Sequence, residues 1–295
     1  MRGIAIYAPS GYVQDPSALD RAVALLVARG CEVHVDASAL ARHTRFAGTD
    51  EERIAAVART AALPGVDVAL ALRGGYGWTR LLPRLDYRAL AASGKRWVGH
   101  SDFTAFQLAM LASTGAGTYA GPMATFDFGA AEPSAFTIEH AFAMLDRGED
   151  EVSFASEGPD VDAEGTLWGG NLTMIATLVG TPYLPRVDGG ILFVEDVSEH
   201  PYRIERMFQQ LLYAGILARQ RAIVIGAFTG YELAGHDNGY DLGEAIGHLR
   251  DTCGVPIVTG LPFGHVRDKL TLPVGGRARL AVRDGLARLS MRIAR

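Results

Sequence analysis

Residues 96–104 read RWVGHSDFT: a short apolar run ends in glycine, and a serine stands between a histidine and an aspartate directly before a helical pattern. Two readings compete. Ser101 or Asp102 caps the following helix by accepting from first-turn N–H groups, or Ser101 is a nucleophile exposed on a tight strand-to-helix turn. The usual nucleophile turn reads G-x-S-x-G, and Phe103 stands where its second glycine would be. A serine hydroxyl is a weak nucleophile at its ordinary pKa, so it needs a base within hydrogen-bond reach and a group that orients the base. In open α/β sheets such groups collect at the carboxyl ends of strands. Four features stand there: Ser101 after 96–100, Glu195 closing ILFV (191–194), His265 after PIVTGLPFG, and the glycines of RGGYGW (73–78). Their order, Ser…Glu…His, is also that of α/β-hydrolases.

Such a set performs acyl transfer. His265 takes the Ser101 proton and delivers it to the leaving amine, while Glu195 holds the imidazole tautomer. The backbone N–H of Asp102, the residue after the serine, and that of Gly75 in the glycine loop are the candidate oxyanion donors. Each group also has a plainer role open to it. Glu195 can be a solvated strand end or a partner for Arg203 or Arg206, and His265 a surface loop residue.

The elements that would position these residues follow from hydrophobic periodicity. Apolar strands are expected at 3–8, 31–36, 66–72, 96–100 and 117–121, with helices at 17–29, 50–62, 102–114 and 134–147. Short apolar strands alternating with helices imply βαβ units and a parallel sheet covered on both faces. The stretch 148–165 is acidic and turn-rich and gives the expected boundary: an N-terminal α/β domain over 1–150, a linker over 151–164 and a second domain over 165–295. In the second domain the pattern predicts a strand end, glycine turn and helix over 165–180, strands at 190–197, 222–230 and 256–259, helices at 201–214 and 240–251, and antiparallel strands over 269–293.

Composition narrows the function classes. The 295 residues are enough for two ordinary domains, and 48% hydrophobic with 21% charged is that of a globular protein. A net charge of −5 argues against a general affinity for nucleic acid, and no Lys/Arg run suggests an anionic membrane. No apolar run reaches the length of a membrane span, and no secretory signal is visible, so a cytoplasmic location is expected. Cys31 and Cys253 form neither a disulfide framework nor a metal cluster. The histidines contain no H-E-x-x-H pair, and GGYG is not a dinucleotide-binding G-x-G-x-x-G, so no metal or organic cofactor is expected.

Beyond these single signals, RGGYGWTRLLPRLDY, GHSDFTAFQLAMLASTGAGTYAGPM, GTLWGGNLTMIATLVGTPYLP, ILFVEDVSEHPYRIERMFQQLLYAGIL and TGLPFGHVRDKLTLPVG resemble the serine LD-carboxypeptidases, in register over nearly the whole chain. The resemblance implies a Rossmann-like N-terminal domain, a smaller C-terminal domain and an active site between them. It places the family's serine, glutamate and histidine on Ser101, Glu195 and His265, its oxyanion donors on Asp102 and Gly75, and treats Phe103 as a family trait. It further implies release of the terminal D-alanine from murein tetrapeptides or muropeptides in cytoplasmic cell-wall recycling, without a cofactor, by a protein that is often a homodimer. A second activity in the family is immunity to microcin-type peptidyl nucleotides. A two-domain ligand-binding protein without catalysis is the alternative from another class. An exopeptidase must also bind the terminal carboxylate of its substrate, which suits arginine. Arg203 and Arg206, on the helix after the Glu195 strand, are the candidates, with Trp168 as a further substrate contact; surface exposure for the arginines and core packing for the tryptophan are the alternatives.

Overall fold

Asp15, Thr49 and Ser134 each accept a first-turn N–H, and Thr49 and Glu52 form a reciprocal capping box. These caps start helices where the apolar period of the sequence changes from strand to helix. The computed structural model describes residues 2–293. In the first half, strands β1 (Arg2–Tyr7), β2 (Cys31–Val35), β3 (Val68–Ala71), β4 (Arg96–Gly99) and β5 (Thr118–Ala120) alternate with helices. These are α1 (Pro16–Ala28), α2 (Asp50–Ala62), the short α3 (Trp78–Leu81) and α4 (Tyr87–Ala92), and α5 (Phe103–Thr114), followed by α6 (Ala135–Arg147). The second half comprises β6 (Glu149–Ala155), β7 (Val161–Asn171), α7 (Leu172–Leu178), β8 (Ile191–Val197), α8 (Pro201–Tyr213), β9 (Ala222–Thr229), α9 (Leu242–Cys253), β10 (Ile257–Val258), β11 (Leu272–Val274), β12 (Gly276–Arg283) and β13 (Leu286–Arg292).

Two sheets organise the molecule. One has the order β11-β5-β4-β3-β1-β2, parallel except for β11; the other runs β10-β9-β8-β7-β12-β13-β6. The second sheet is parallel from β7 to β10 and antiparallel from β7 through β12 and β13 to β6. Both parallel regions are covered on both faces, and β3 and Ile191–Asp196 of β8 are wholly buried.

Two expectations change. The acidic stretch 151–164, read as a linker, begins as strand: β6 pairs with β13 and buries Val152 and Phe154 while turning Glu149 and Glu151 outward. Its partner lies more than a hundred residues away, so nothing local marks the pairing. The C-terminal strands do not all join one sheet either. β11 pairs antiparallel with β5 of the first sheet, and the chain then crosses at Gly275 into β12 of the second. This crossover helps bind the two halves together at the amino end of β5, where the Gly275 N–H donates to the Leu167 carbonyl of β7.

Candidate active site

Ser101 follows β4 in the left-handed region, at φ 67°, directly before α5. A side chain there costs about 1–2 kcal/mol relative to glycine, and the turn holds the hydroxyl out at the end of the strand. The missing second glycine of the motif has a structural explanation. The Phe103 ring packs over Gly99, where any Cβ would come within 2.5 Å of the ring, so the glycine that permits close strand–helix packing precedes the serine. Gly74 also lies against the Ser101 turn: a Cβ on it would meet the Ser101 Cβ at 2.8 Å.

Glu195 lies near the end of β8 and is fully buried. Opposite it the pairing with β9 slips, so that Val194 faces Ile225 but Asp196 faces Phe228. This bulge turns the Ala227 N–H away from the ladder to donate to the Phe263 carbonyl at 2.8 Å. It thereby docks the 260–265 loop beside Glu195. The result is a continuous chain: the Glu195 Oε2–His265 Nδ1 separation is 2.7 Å, and His265 Nε2 lies 3.0 Å from Ser101 Oγ. Neither the Asp102 nor the Gly75 N–H has an acceptor among the described residues. Asp196 is committed elsewhere, accepting from Asn171 Nδ2 and from the Thr173 N–H and hydroxyl, each at 2.8 Å.

Three participants carried no local signal. Asn171 caps α7 and also donates to Glu195 Oε1 at 3.3 Å, holding the carboxylate from the side away from His265. Thr104 on α5 accepts the Asn171 N–H at 3.0 Å, tying the helix that follows Ser101 to the second sheet. Arg73 lines a cavity of about 530 Å³ together with Gly74, Gly75, Ser101, Met123, Phe126 and His265. Its guanidinium bonds only backbone carbonyls, those of Tyr12 and Gly74, and pairs with no carboxylate among the described residues.

The expected substrate contacts lie elsewhere. Trp168 is 1% exposed, and its indole N–H donates to Gln220 Oε1 at 2.8 Å, so it is a core residue. The period-two alternation that would expose it is absent because both faces of this part of β7 are covered. Arg203 and Arg206 are exposed on α8, opposite the face that buries Ile204, Met207 and Phe208. Arg203 pairs with Glu199 at 3.6 Å, and neither arginine lines the Ser101 cavity.

Burial controls the electrostatics. His100 is 2% exposed, its Nε2 lies 3.9 Å from Glu195 Oε2, and its ring centroid is 4.6 Å from that of His265. Desolvation, reinforced by Lys269 and His265, pushes its pKa well below the ordinary imidazole value, so it is neutral beside Glu195. Lys269 itself is buried against Asp127 at 2.8 Å. Ligand atoms of His100, Glu195 and His265 lie within 4.8 Å of one another. This donor set overlaps the hydrogen-bonded Glu195–His265 pair, so a metal there would compete with that bond.

A serine, imidazole and carboxylate in one hydrogen-bonded line, beside free N–H groups and an open cavity, define a serine-type hydrolytic site on a two-sheet α/β fold. Residues 4–121 match the LD-carboxypeptidase N-terminal domain and residues 164–280 the LD-carboxypeptidase C-terminal domain. The chain belongs to the LD-carboxypeptidase family and is a serine-type carboxypeptidase. The crystal structure of muramoyltetrapeptide carboxypeptidase from Oxalobacter formigenes is 51% identical, has a TM-score of 0.93 and shares 98% coverage of each chain. The murein tetrapeptide carboxypeptidase of Pseudomonas aeruginosa is 32% identical over 94% of this chain and 92% of its own length. The microcin C7 self-immunity protein MccF of Escherichia coli is 27% identical over 77% of this chain and 75% of its own. No described helix is long and apolar enough to cross a membrane.

Proposed function

We propose that this carboxypeptidase releases the terminal D-alanine from murein tetrapeptides through a Ser101 acyl-enzyme. The observation that carries the mechanism is the line Glu195–His265–Ser101, with contacts of 2.7 and 3.0 Å. Ser101 Oγ attacks the carbonyl of the L-to-D peptide bond while its proton passes to His265 Nε2. The oxyanion forms against the Asp102 and Gly75 N–H groups. The C–N bond then breaks, His265 returns the proton to the D-alanine amine, and water, deprotonated by His265, hydrolyses the ester. Glu195, Nδ1–H-bonded and buried, stabilises the imidazolium formed in between.

Arg73 is the cation we assign to the substrate's terminal carboxylate, in place of Arg203 and Arg206. It is the arginine lining the Ser101 cavity, and it pairs with no carboxylate among the described residues. The remaining parts of the reading, a cytoplasmic place in cell-wall recycling and a homodimer, rest on the family resemblance. Two buried free thiols, Cys31 and Cys253, are compatible with a reducing compartment.

The test is stoichiometric D-alanine release from a purified murein tetrapeptide, with an aminoacyl sulfamoyl nucleotide assayed in parallel. D-Alanine release that Ser101→Ala abolishes supports the reading. Turnover of the nucleotide conjugate alone moves the protein to the microcin-immunity activity, and turnover of neither favours a binding protein.

A further inference from the structure

Asp102 supplies an oxyanion N–H in the proposed reaction, while its side chain points into the protein. We propose that the Asp102 carboxylate is a positioning group for the oxyanion hole, clamping the glycine loop 74–77 against the nucleophile turn through Ser10 and the Trp78 N–H. The proposal rests on Ser101 being the nucleophile and adds a role to the residue beside it.

Asp102 is 2% exposed. Its Oδ2 accepts the Ser10 hydroxyl in a short hydrogen bond and the Trp78 N–H at 3.4 Å. Trp78 opens α3 immediately after the glycine loop. Ser10 precedes Gly11, whose N–H donates to the Gly74 carbonyl at 3.3 Å. One carboxylate oxygen therefore reaches both ends of the segment that carries the Gly75 N–H. The same residue's backbone supplies the second donor, so the two arms of the hole are linked through a single side chain. Donors placed about 1 Å off their mark can cost about 100-fold in rate.

The clamp is not an ion pair. The charged and titratable groups facing Asp102 are Tyr7 from β1, Arg53 from α2 and Arg73 at the start of the loop. Arg53 is buried but spends its guanidinium on the Pro9 carbonyl and Asp50, and Arg73 bonds backbone carbonyls. Asp102 Oδ1 and the Tyr7 hydroxyl are buried without partners among the described residues. Burial pushes the Asp102 carboxyl up to about 6. A carboxylate kept in the core with so little compensation weakens the fold, a pattern associated with functional positions.

The test compares Asp102→Leu, which removes the acceptor, with Asp102→Asn, whose amide oxygen can keep both bonds on the Oδ2 side. Each is assayed for kcat and KM, for affinity toward a peptide boronic acid whose tetrahedral adduct fills the hole, and, with Ser101→Ala added, for affinity toward uncleaved substrate. Asp102→Leu should lower kcat about 10- to 100-fold and weaken the boronate in proportion, with KM and ground-state affinity within about twofold. Asp102→Asn should stay within about fivefold of wild type. Active-site titration with the boronate corrects for misfolded protein. If Asp102→Leu does not fold, Ser10→Ala, which removes one arm, should still cost about three- to tenfold in kcat. Unchanged kcat in the folded variants, or a fall in kcat with unchanged boronate affinity, overturns the clamp. D-Alanine release by Ser101→Ala would instead overturn the underlying mechanism.

Discussion

Replacing Glu195 by glutamine removes one charge from a fully buried position and leaves the side-chain size unchanged. The size of the effect can be worked from the geometry. Glu195 Oε2 is 2.7 Å from His265 Nδ1, which puts the carboxylate and imidazolium charge centres roughly 4 Å apart. At an effective dielectric constant of about 20 that separation is worth about 4 kcal/mol. The ground-state imidazole is neutral, so the attraction appears as His265 becomes charged in the transition state. One decade in rate corresponds to about 1.36 kcal/mol, giving a loss near 10³ in kcat. Tautomer control adds to this. The glutamine amide can donate to His265 Nδ1, leaving the proton on Nε2, where it blocks deprotonation of Ser101. Asn171 Nδ2 donates to Oε1, which keeps the amide oxygen there and the amide nitrogen on the Oε2 side; His100 Nε2, 3.9 Å from Oε2 and unpartnered among the described residues, can accept the second amide N–H and so favours the same placement. The expected loss is therefore about 10²–10⁴ in kcat. KM should change little, since Glu195 does not line the cavity that contains Ser101. The assay is steady-state D-alanine release, with thermal unfolding followed in parallel. Retention of more than about a tenth of wild-type kcat by a folded Glu195→Gln enzyme would refute the charge argument and leave Glu195 as a packing carboxylate.

Four further outcomes are expected. Ser101→Ala should lose about 10⁶ in kcat, the scale of loss when such a triad is deprived of its nucleophile. Ser101→Gly, equally inactive, should unfold at higher temperature than Ser101→Ala because it relieves the left-handed strain of about 1–2 kcal/mol; equal midpoints would contradict that strain. Arg73→Ala should lower kcat/KM about 10- to 100-fold on free-acid substrate and have little effect on a C-terminally amidated one, whereas Arg203→Ala and Arg206→Ala should stay within about twofold; the reverse pattern would put the carboxylate site on α8. The Asp102 carboxyl, raised by burial to about 6 from an unfolded value near 3.9, binds its proton more tightly in the folded state. Wild-type stability relative to Asp102→Asn should therefore be greatest below about pH 4 and decline through about pH 6, by up to about 3 kcal/mol. Urea unfolding at several pH values checks this, and a pH-independent difference would contradict it.

The sequence by itself determined the alternation of strands and helices, because apolar period, caps and glycine turns are local. It also determined which polar side chains stand at strand ends, and that was enough to single out Ser101, Glu195 and His265 as one candidate set before any distance was known. The phase of α8 was legible too: Ile204, Met207 and Phe208 mark the buried face, and this already turns Arg203 and Arg206 outward. What only the tertiary structure decided depends on contacts between segments distant in the chain. The acidic, turn-rich stretch 148–165 contains one short strand-like run, but nothing local shows that β13 pairs with it. Trp168 sits beside a glycine turn in sequence but is enclosed by both layers around β7. Arg73, a residue before two glycines with no motif of its own, reaches the Ser101 cavity only because β1, β3 and β4 lie side by side and bring their carboxyl ends together. Asn171 meets Glu195 because β7 and β8 are parallel neighbours, and the bulge opposite Glu195 docks the loop that carries His265. Residue type and strand position set what each group can do chemically; sheet order and register set which groups are within hydrogen-bond reach of one another, and no local pattern encodes that.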